Sequence, residues 1–431
     1  MGRQRLLLPA VLVVVVIAGF ALLALQSQPG PEVRPTAQPI PAPVGGDFEA
    51  SATVMEDLEV AGPVRLDFRG FNGSLSIKPG APGKLEIKAI KTAYGPDYAT
   101  ARKQADDLPL AIRQEKDRVV FDARPPAGPP WSAASAGRIN YIIVAPELAG
   151  LSVADGQGSI RASGLHLGVE VSGGELPVRL TNVRGDISIA IKRGNFDVDG
   201  ADGKVRLSTG EGDIRMKHVA GPSLAADGTG VVTITESQVA GQLTLATPGS
   251  KVSLLRTQAG QLEVKAPAAA LELTDVSAVK ALRLQAGTGS VWVERAQAHP
   301  LVIATQGTGV QLTEVQGEIE VATAGGPLTL DNVTPASLAV TSGGGNVVFS
   351  GSLPKTGATT VDTAGGQLYL TVARETAFAL DADAGDGRLT VDRLFLAGQT
   401  LNGSAAKMSV NGGGPRVQLR THGGALYVGT S

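Results

Sequence analysis

The sequence predicts an all-β fold, a single-stranded β-solenoid (β-helix) of about 19-residue rungs, with an N-terminal transmembrane helix and one short helix in the first module. Three observations support this prediction. Apolar and polar residues alternate, as in Val205–Leu207 and Ile214–Met216, which is the period of a β-strand. Glycine-rich corners separate these runs at a nearly fixed spacing. Aromatic residues make up only 4% of the chain, so we expect a core of Val, Leu, Ile and Ala.

The first 25 residues form a candidate membrane anchor. Residues 1–5, the predicted cytoplasmic stub, contain two arginines, and Leu6–Leu25 contains no charge. A helix rises about 1.5 Å per residue, so this stretch is long enough for a hydrocarbon core about 30 Å thick. The arginines favour a signal-anchor that leaves Gln26 and all later residues outside the cytoplasm. The alternative is a signal peptide cleaved near Ala24, which would make the protein secreted.

Two further segments precede the repeats. Residues 26–46 contain six prolines and no apolar period, which is typical of an extended proline-rich linker. Residues 47–150 are predicted to form an N-terminal β-rich module, with strands such as Val64–Phe68. One segment of this module departs from the alternation. It predicts a short helix over Asp97–Leu108, with the aspartate as its N-cap.

Residues 151–431 are predicted to form the β-solenoid repeat domain. Each unit has two short strands and two corners, and one unit cannot bury its own apolar side, whereas stacked units can. Glycine at the corners is explained by positive φ angles. Equivalent positions should form two stacked columns, of which the valines point inward. These columns are Thr209, Asp227, Thr247, Thr305, Thr323, Ser342 and Thr363 at one corner, and Val183, Val219, Val239, Val276, Val315 and Val333 at the other.

The order of several short motifs gives the chain a resemblance to a known family. The motifs are FNGSLSI (71–77), INYIIVAPE (139–147) leading into LSVADGQGSIRASG (151–164), and the ending VNGGGPRVQLRTHGGALYVGT (410–430). On these motifs, residues 47–431 resemble a bacterial family of β-strand-repeat domains of unknown function that is labelled as adhesins. The resemblance implies an exported β-solenoid. Its adhesin label adds little about mechanism.

Composition and motifs exclude several kinds of function. The absence of cysteine removes disulfides, thiolate catalysis, Cys-based metal sites and a lipoprotein anchor. The net charge of -2 does not suit a nucleic-acid binder, so nucleic acid is not an expected partner. Four histidines are scattered without a metal-binding motif: His166, His218, His299 and His422. We therefore predict no catalytic residue, no cofactor or cofactor-binding residue, and no metal site.

Several short motifs are interpreted as structural or as chance matches. Asp197–Gly203 and Ala384–Asp392 carry carboxylates and are interpreted as solvated turns, with calcium binding as the alternative. LPKTG (353–357) is followed by neither the apolar tail nor the basic end of a sortase signal. The RGD of Arg184–Asp186 supplies a corner glycine. The only outward carboxylates in one column, Glu318 and Glu320, share a single strand.

The leading functional hypothesis is a membrane-anchored, extracytoplasmic β-solenoid that acts as a non-enzymatic adhesin-like binding module or envelope scaffold. It would be a single-pass protein of the cell membrane, with its C-terminal domain in the periplasm or at the cell surface and an unknown envelope or surface ligand as its partner. Trp292 and Tyr369 are the few aromatic residues in an outward phase. A carbohydrate-active β-helix enzyme (lyase or hydrolase) is one alternative, and a purely structural spacer is another. The sequence leaves the oligomeric state open.

Overall fold

The computed structural model describes residues 48–124, 137–146, 148–249, 251–392, 401 and 403–430. These residues fall within one compact unit, Val44–Ser431. The predicted membrane anchor (6–25) and proline-rich linker (26–46) lie outside the described residues. Within the described part of the chain, no helix is long and apolar enough to cross a membrane.

The described residues before the repeats form seven strands and one helix. The strands are β1 (Phe48–Glu59), β2 (Val64–Arg69), β3 (Asn72–Pro79), β4 (Lys84–Gly95), β5 (Ala111–Glu115), β6 (Arg118–Asp122) and β7 (Gly137–Ala145). The helix α1 (Tyr98–Asp107) has the predicted N-cap, because Asp97 Oδ1 accepts a hydrogen bond from the Thr100 N–H at 2.7 Å. Its Ala105 packs against Ala52 of β1 and Ala93 of β4. The short helix of the first module is therefore confirmed.

The repeats consist of short strands that pair in parallel with their equivalents in the next rung. The strands are β8 (Ala149–Ser163), β9 (Val169–Glu175), β10 (Val178–Arg184), β11 (Ile187–Arg193), β12 (Phe196–Asp202), β13 (Val205–Glu211), β14 (Ile214–Gly228), β15 (Val232–Thr235), β16 (Gln238–Ala246), β17 (Lys251–Ala266), β18 (Ala270–Ala286), β19 (Val291–Glu294), β20 (Gln297–Thr305), β21 (Val310–Thr313), β22 (Gln316–Thr323), β23 (Leu328–Ser342), β24 (Val347–Gly351), β25 (Thr359–Asp362), β26 (Leu368–Val372), β27 (Phe378–Asp383), β28 (Leu389–Val391), β29 (Ala405–Val410), β30 (Arg416–Arg420) and β31 (Leu426–Thr430).

The register confirms a β-solenoid with rungs near the predicted length. Val178 of β10 pairs with Phe196 of β12, and Val347 of β24 pairs with Leu368 of β26, which is a slightly longer step along the chain. Each rung gives one strand to face 1, which includes β9, β11 and β13, and one to face 2, which includes β10, β12, β24 and β26. The long strands β14, β17, β18 and β23 turn a corner and contribute to both faces.

Inward side chains of both faces form one continuous hydrophobic core of Val, Leu, Ile and Ala. Each buried branched side chain contributes about 1.5–3 kcal/mol by leaving water. Large aromatic residues collect near the N-terminal end, where the rings of Phe68 and Phe121 stack with centroids 4.3 Å apart and Tyr141 meets Phe68 edge-on. The described core is thus mainly aliphatic along the repeats, as the composition predicts, with Phe196, Phe349 and Phe378 also buried there, and it is aromatic beside its first rungs.

At the N-terminal end, the rungs do not follow the order of the chain. The rung of β2 and β3 lies between β8 and the rung of β6 and β7, because Leu66 pairs with both Leu151 and Val119. On face 2, Leu75 likewise pairs with Tyr141 and with Ile160. The predicted N-terminal module is therefore continuous with the repeats in one stack, and β8 spans residue 150.

At the C-terminal end, too, the order of the rungs differs from the order of the chain. Leu426 of β31 pairs with Leu368 of β26 on one side and with Leu389 of β28 on the other. The last strands of the chain, β30 and β31, therefore lie one rung inside the end formed by β27 and β28. This order was not predicted, because each rung was expected to follow the previous one along the sequence.

Antiparallel strands finish both ends. At the N-terminal end β4 pairs antiparallel with β1 and β7, and β5 pairs antiparallel with β6. At the C-terminal end β29 pairs antiparallel with β27. A parallel rung leaves a row of unpaired backbone groups at its edge, which invites edge-to-edge association. The antiparallel strands satisfy these groups with a chain direction that cannot begin another rung of the same kind.

The predicted inward valines are buried, and part of the predicted stacking in the two corner columns is wrong. Val219 and Val239 are both buried, at 1% and 3% exposure, but Val239 pairs with Gly221, whereas the Val219 N–H donates to Ser237 Oγ at 3.2 Å. Asp227 is exposed beside Ser208, and Gly228 takes the predicted place next to Thr209. Rung length varies at the corners, so a constant spacing misaligns residues there.

Glycines that follow β22, β23, β25, β30 and β27 form a ladder that we call the glycine corner: Gly326, Gly345, Gly366, Gly424 and Gly387. A Cβ atom on Gly345 would lie 2.1 Å from the Gly326 carbonyl oxygen, and one on Gly366 would lie 2.2 Å from the Gly345 carbonyl oxygen. The φ angles of these glycines are outside the positive region. The prediction that positive φ angles require glycine is therefore wrong at these five positions. Glycine is required there because the backbone of the neighbouring rung leaves no room for a Cβ atom.

Candidate functional site

The opposite corner carries mostly charged and amide side chains, with Gly200 between Asn182 and His218. We call this set the charged corner: Asn182, His218, Glu236, Arg256, Asp275, Arg295, Glu314 and Asn332. All have positive φ, between 48° and 55°, which non-glycine residues seldom adopt. Their charges alternate from Glu236 to Glu314, so each side chain faces opposite charges in the adjacent rungs.

Ion pairs connect successive rungs at the charged corner. Arg295 Nε donates to Asp275 Oδ1 at 2.6 Å, and Arg256 pairs with Glu236. These arginines, as hydrogen-bond donors, lower the pKa of Asp275 and of Glu236. Exposed ion pairs of this kind are screened by solvent and contribute little to stability individually. The charged corner is therefore best explained as a means of holding neighbouring rungs together.

One carboxylate of the DVDGADG motif, Asp199, belongs to the same network. Asp199 Oδ1 lies 2.9 Å from His218 Nδ1, and Glu236 Oε2 lies 3.0 Å from His218 Nε2. Asp197 pairs with Arg179 at 3.4 Å. No group of His, Cys, Asp and Glu side chains in the described ranges is arranged to hold a metal ion. Asp197 and Asp199 thus have Arg179 and His218 as partners in neighbouring rungs.

The remaining sequence motifs occupy structural positions. The RGD aspartate, Asp186, accepts a hydrogen bond from the Lys204 N–H in the next rung at 3.0 Å, and Gly185 has a φ of 86°. In LPKTG, Leu353 is buried at 9% exposure. Glu318 and Glu320 are exposed on β22 and are not brought beside another carboxylate column. Their neighbours explain each motif without a ligand.

A shallow polar groove lies on face 1 at the C-terminal end, between β27, β29 and β30. Its Asp381 accepts hydrogen bonds from Arg420 at 2.9 Å and Arg416 at 3.3 Å, and Lys407 lies 3.8 Å away. Hydrogen bonding by Arg420 is the main cause that lowers the pKa of Asp381. Because Arg420 and Asp381 belong to the last two rungs, these contacts fix the inserted strand β30 against β27.

Face 2 presents a different arrangement, an outward column that the register defines strand by strand. We call it the aromatic column: Trp292, Gln311, Thr329, Val348, Tyr369 and Tyr427. Trp292 is 46% exposed, and Val348 and Tyr369 are each 41% exposed. Neighbouring strands are about 4.8 Å apart, so the column runs about 24 Å across the strands from Trp292 to Tyr427.

Two tyrosines form one end of the aromatic column. The rings of Tyr369 and Tyr427 have centroids 6.2 Å apart and are tilted by 42°. The Tyr427 ring lies across Gly429, since a Cβ atom there would be 2.4 Å from the ring. The Tyr369 hydroxyl donates to Gln367 Oε1 at 3.1 Å. Contacts with neighbours therefore hold both rings while leaving a large part of Tyr369 exposed.

The surroundings of the aromatic column are polar and carry little charge. Its six strands, β19, β21, β23, β24, β26 and β31, contain no lysine or arginine. The next outward column holds Glu294, Thr313 and Asp331, followed by Ser350 and Thr371. The surface thus combines aromatic rings with hydrogen-bonding groups and lacks positive side chains on these strands.

Sequence reasoning identified Trp292 and Tyr369 but missed Tyr427. Tyr427 follows Tyr369 in the chain at a distance of several rungs, and the two meet only because β31 is inserted next to β26. A local signal was present in the sequence. The stretches GGQLYL (365–370) and GGALYV (423–428) share the same pattern, which indicates equivalent places in two rungs.

Comparison with known families gives one match. Residues 226–425, just under half of the 431-residue chain, match the family model described as Toastrack DUF4097. The matched segment contains most of the aromatic column, from Trp292 to Tyr369. The comparison with curated proteins finds no match to this chain. Over residues 226–425, then, the chain is similar to the Toastrack family of domains of unknown function, in a segment that folds as a β-solenoid.

Proposed function

We propose that the chain is a membrane-anchored, extracytoplasmic binding module of the cell envelope that holds its ligand on face 2 without chemical turnover. The observation that carries this proposal is the aromatic column, which exposes Trp292, Val348 and Tyr369 in one line. Exposed aromatic side chains are enriched at binding surfaces because they bury a large area and lose little conformational entropy. A β-solenoid that served only as a spacer would have no need of such a line.

The titratable groups also support binding over catalysis. Where the pKa of a carboxyl group in the described residues shifts, it shifts downward: Asp97, Asp122, Glu236, Asp275 and Asp381. A general acid of a glycoside hydrolase needs the opposite shift. Ionised carboxylates held by hydrogen bonds suit a stable framework.

Retention of envelope material by the immobilised full-length protein tests this proposal. We expect the wild-type protein to retain a component of a solubilised envelope fraction, and the Trp292→Ala/Tyr369→Ala double variant to retain much less. Tyr98→Ala is the matched control, because Tyr98 is an exposed tyrosine on α1. Equal retention by wild type and double variant would contradict the proposal, and no retention by either would favour the spacer. Steady release of fragments from the retained component would favour the enzyme.

The anchor is a separate part of the proposal, supported by the uncharged stretch Leu6–Leu25. Native protein should remain in the membrane fraction after washing with salt and should keep its original N-terminus in mass spectrometry. An N-terminus between Leu25 and Gln28 would instead show cleavage and secretion.

A further inference from the structure

The chemistry of the aromatic column defines a class of ligand, and this inference deepens the binding function proposed above. Aromatic groups occupy both ends of the column, with Gln311 and Thr329 between them. The C–H face of a pyranose ring packs on an aromatic ring, and its hydroxyl groups need amide, hydroxyl or carboxylate partners. The column offers both kinds of contact along one line.

Charge narrows the class of ligand further. The strands of the column lack lysine and arginine, and the carboxylates Glu294 and Asp331 flank it. Glu294 pairs with Arg295, whereas Asp331 is exposed. Anionic polymers such as nucleic acids or uronic acid polysaccharides would find no cationic partner on these strands and would face the carboxylate of Asp331. Neutral sugars would instead gain carboxylate acceptors for their hydroxyl groups.

The length of the aromatic column indicates the size of the ligand. Side chains of the aromatic column repeat every rung, about 4.8 Å apart, and extend about 24 Å in a straight line across the strands. A single sugar would meet one ring only, whereas a stretched chain of several units would meet Tyr427, Tyr369 and Trp292 together. We propose that face 2 binds an unbranched, neutral polysaccharide that lies along the aromatic column, across the strands of the solenoid.

Titration of the full-length protein with soluble oligosaccharides tests this proposal. The probes are cellulose-type glucose oligomers and chitin-type N-acetylglucosamine oligomers of increasing length, which present the same neutral pyranose chain from two sources. We expect at least one series to bind, with an affinity that rises with length until the oligomer spans the column. If only one of the two series binds, the sugar of that series identifies the kind of polysaccharide. Polygalacturonate should not bind.

Variants separate the aromatic column from other surfaces. Tyr369→Ala and Trp292→Ala should each weaken binding about tenfold, the loss expected for one aromatic contact. Tyr369→Phe should keep most of the affinity, and Tyr98→Ala should keep all of it. Melting temperatures should fall only slightly, because these side chains lie at the surface and outside the core. Binding that both alanine variants leave intact would overturn the proposal.

The two experiments together distinguish a wrong sugar ligand from a wrong binding function. If no oligomer binds the wild-type protein but an envelope component is still retained through the aromatic column, the sugar ligand is wrong and the binding function stands. If neither the oligomers nor any envelope component binds, both proposals are wrong.

Discussion

The glycine corner and the charged corner place different kinds of residue at a similar turn of the chain. At the glycine corner, Gly345 has an ordinary φ, and a Cβ atom there would lie 2.1 Å from a carbonyl oxygen of the adjacent rung. At the charged corner, Arg256 and Asp275 have the positive φ that favours glycine, yet their side chains extend to solvent and face each other across rungs. In the ladder from Gly326 to Gly387, contact with the neighbouring rung rather than the φ angle is the reason for glycine.

This difference assigns distinct forces to the two corners. Buried hydroxyl groups at the glycine corner hold the turn from inside: Thr363 Oγ1 donates to the Gly366 carbonyl oxygen at 2.5 Å, and Thr421 Oγ1 donates to the Gly424 carbonyl oxygen at 2.6 Å. Ion pairs in solvent hold the charged corner from outside. Changes at the first corner should therefore be costly, whereas changes at the second should be mild and dependent on pH and salt.

The largest expected effect comes from comparing a buried residue with an exposed residue at the charged corner. Val219 follows His218 and is buried, whereas Lys217 precedes it and is exposed. Val219→Asp would bury an uncompensated charge and lower the free energy of unfolding by about 3–5 kcal/mol. Lys217→Asp replaces an exposed ion pair and should cost about 1 kcal/mol or less. Urea unfolding of both variants measures this contrast, and equal midpoints would contradict the inward assignment of Val219.

The next effect compares glycine at the two corners directly. Gly345→Ala places a methyl group against the Gly326 carbonyl oxygen and should cost about 1–3 kcal/mol. Glu314→Gly removes a positive-φ side chain at the charged corner, and the relief of strain offsets the extra freedom of the unfolded chain, so we expect a change within about 0.5 kcal/mol. Thermal unfolding of the two variants should rank them in this order; the reverse order would refute the contact explanation.

A smaller effect concerns the hydroxyl groups beside the glycine corner. Thr323 Oγ1 donates to the Gly326 carbonyl oxygen at 3.0 Å, and Thr323→Val should cost about 1–2 kcal/mol because that acceptor loses its partner. Thr305 Oγ1 is buried and has no hydrogen-bond partner among the described residues. Thr305→Val is therefore the matched control and should be neutral or stabilising. Equal losses in chemical denaturation would show that both hydroxyl groups are bonded.

The smallest effect is the acid sensitivity of the charged corner. Arg295 lowers the pKa of Asp275 below its usual value of 3.8, so this pair stabilises the folded state above that pH and loses its contribution as the pH falls through the lowered pKa. In Arg295→Gln, the pKa of Asp275 should return toward that usual value. NMR titration of the Asp275 carboxyl group measures this shift. An unchanged pKa in the variant would show that the pair does not form in solution.

Much of the fold could be predicted because it is encoded within single rungs. Alternation in stretches such as Val205–Leu207 gave the strands, and the N-cap at Asp97 gave the only helix among the described residues. Stacking was less predictable. The step between rungs is longer from Val347 to Leu368 than from Val178 to Phe196, so constant spacing aligned Val239 with the wrong neighbour.

The candidate site shows the same limit. The outward phase of Trp292 and Tyr369 follows from alternation with the buried residues on either side, and this prediction is confirmed. The third ring, Tyr427, joins them through a pairing between β26 and β31 that skips β27 to β29. Periodicity describes what happens from one rung to the next, and it contains no information on a strand that returns from farther along the chain.

The sequence by itself therefore determined the class of fold, the approximate rung and the side of each strand that is buried, because these depend on the period-two pattern and on local turn residues. Tertiary structure alone decided the order of the terminal rungs, the antiparallel strands at both ends and the length of the aromatic column. The physical reason is that a rung edge offers nearly equivalent backbone groups to any incoming strand. Which strand fills it depends on packing across the whole core and on side-chain contacts such as Arg420 with Asp381, which no local pattern encodes.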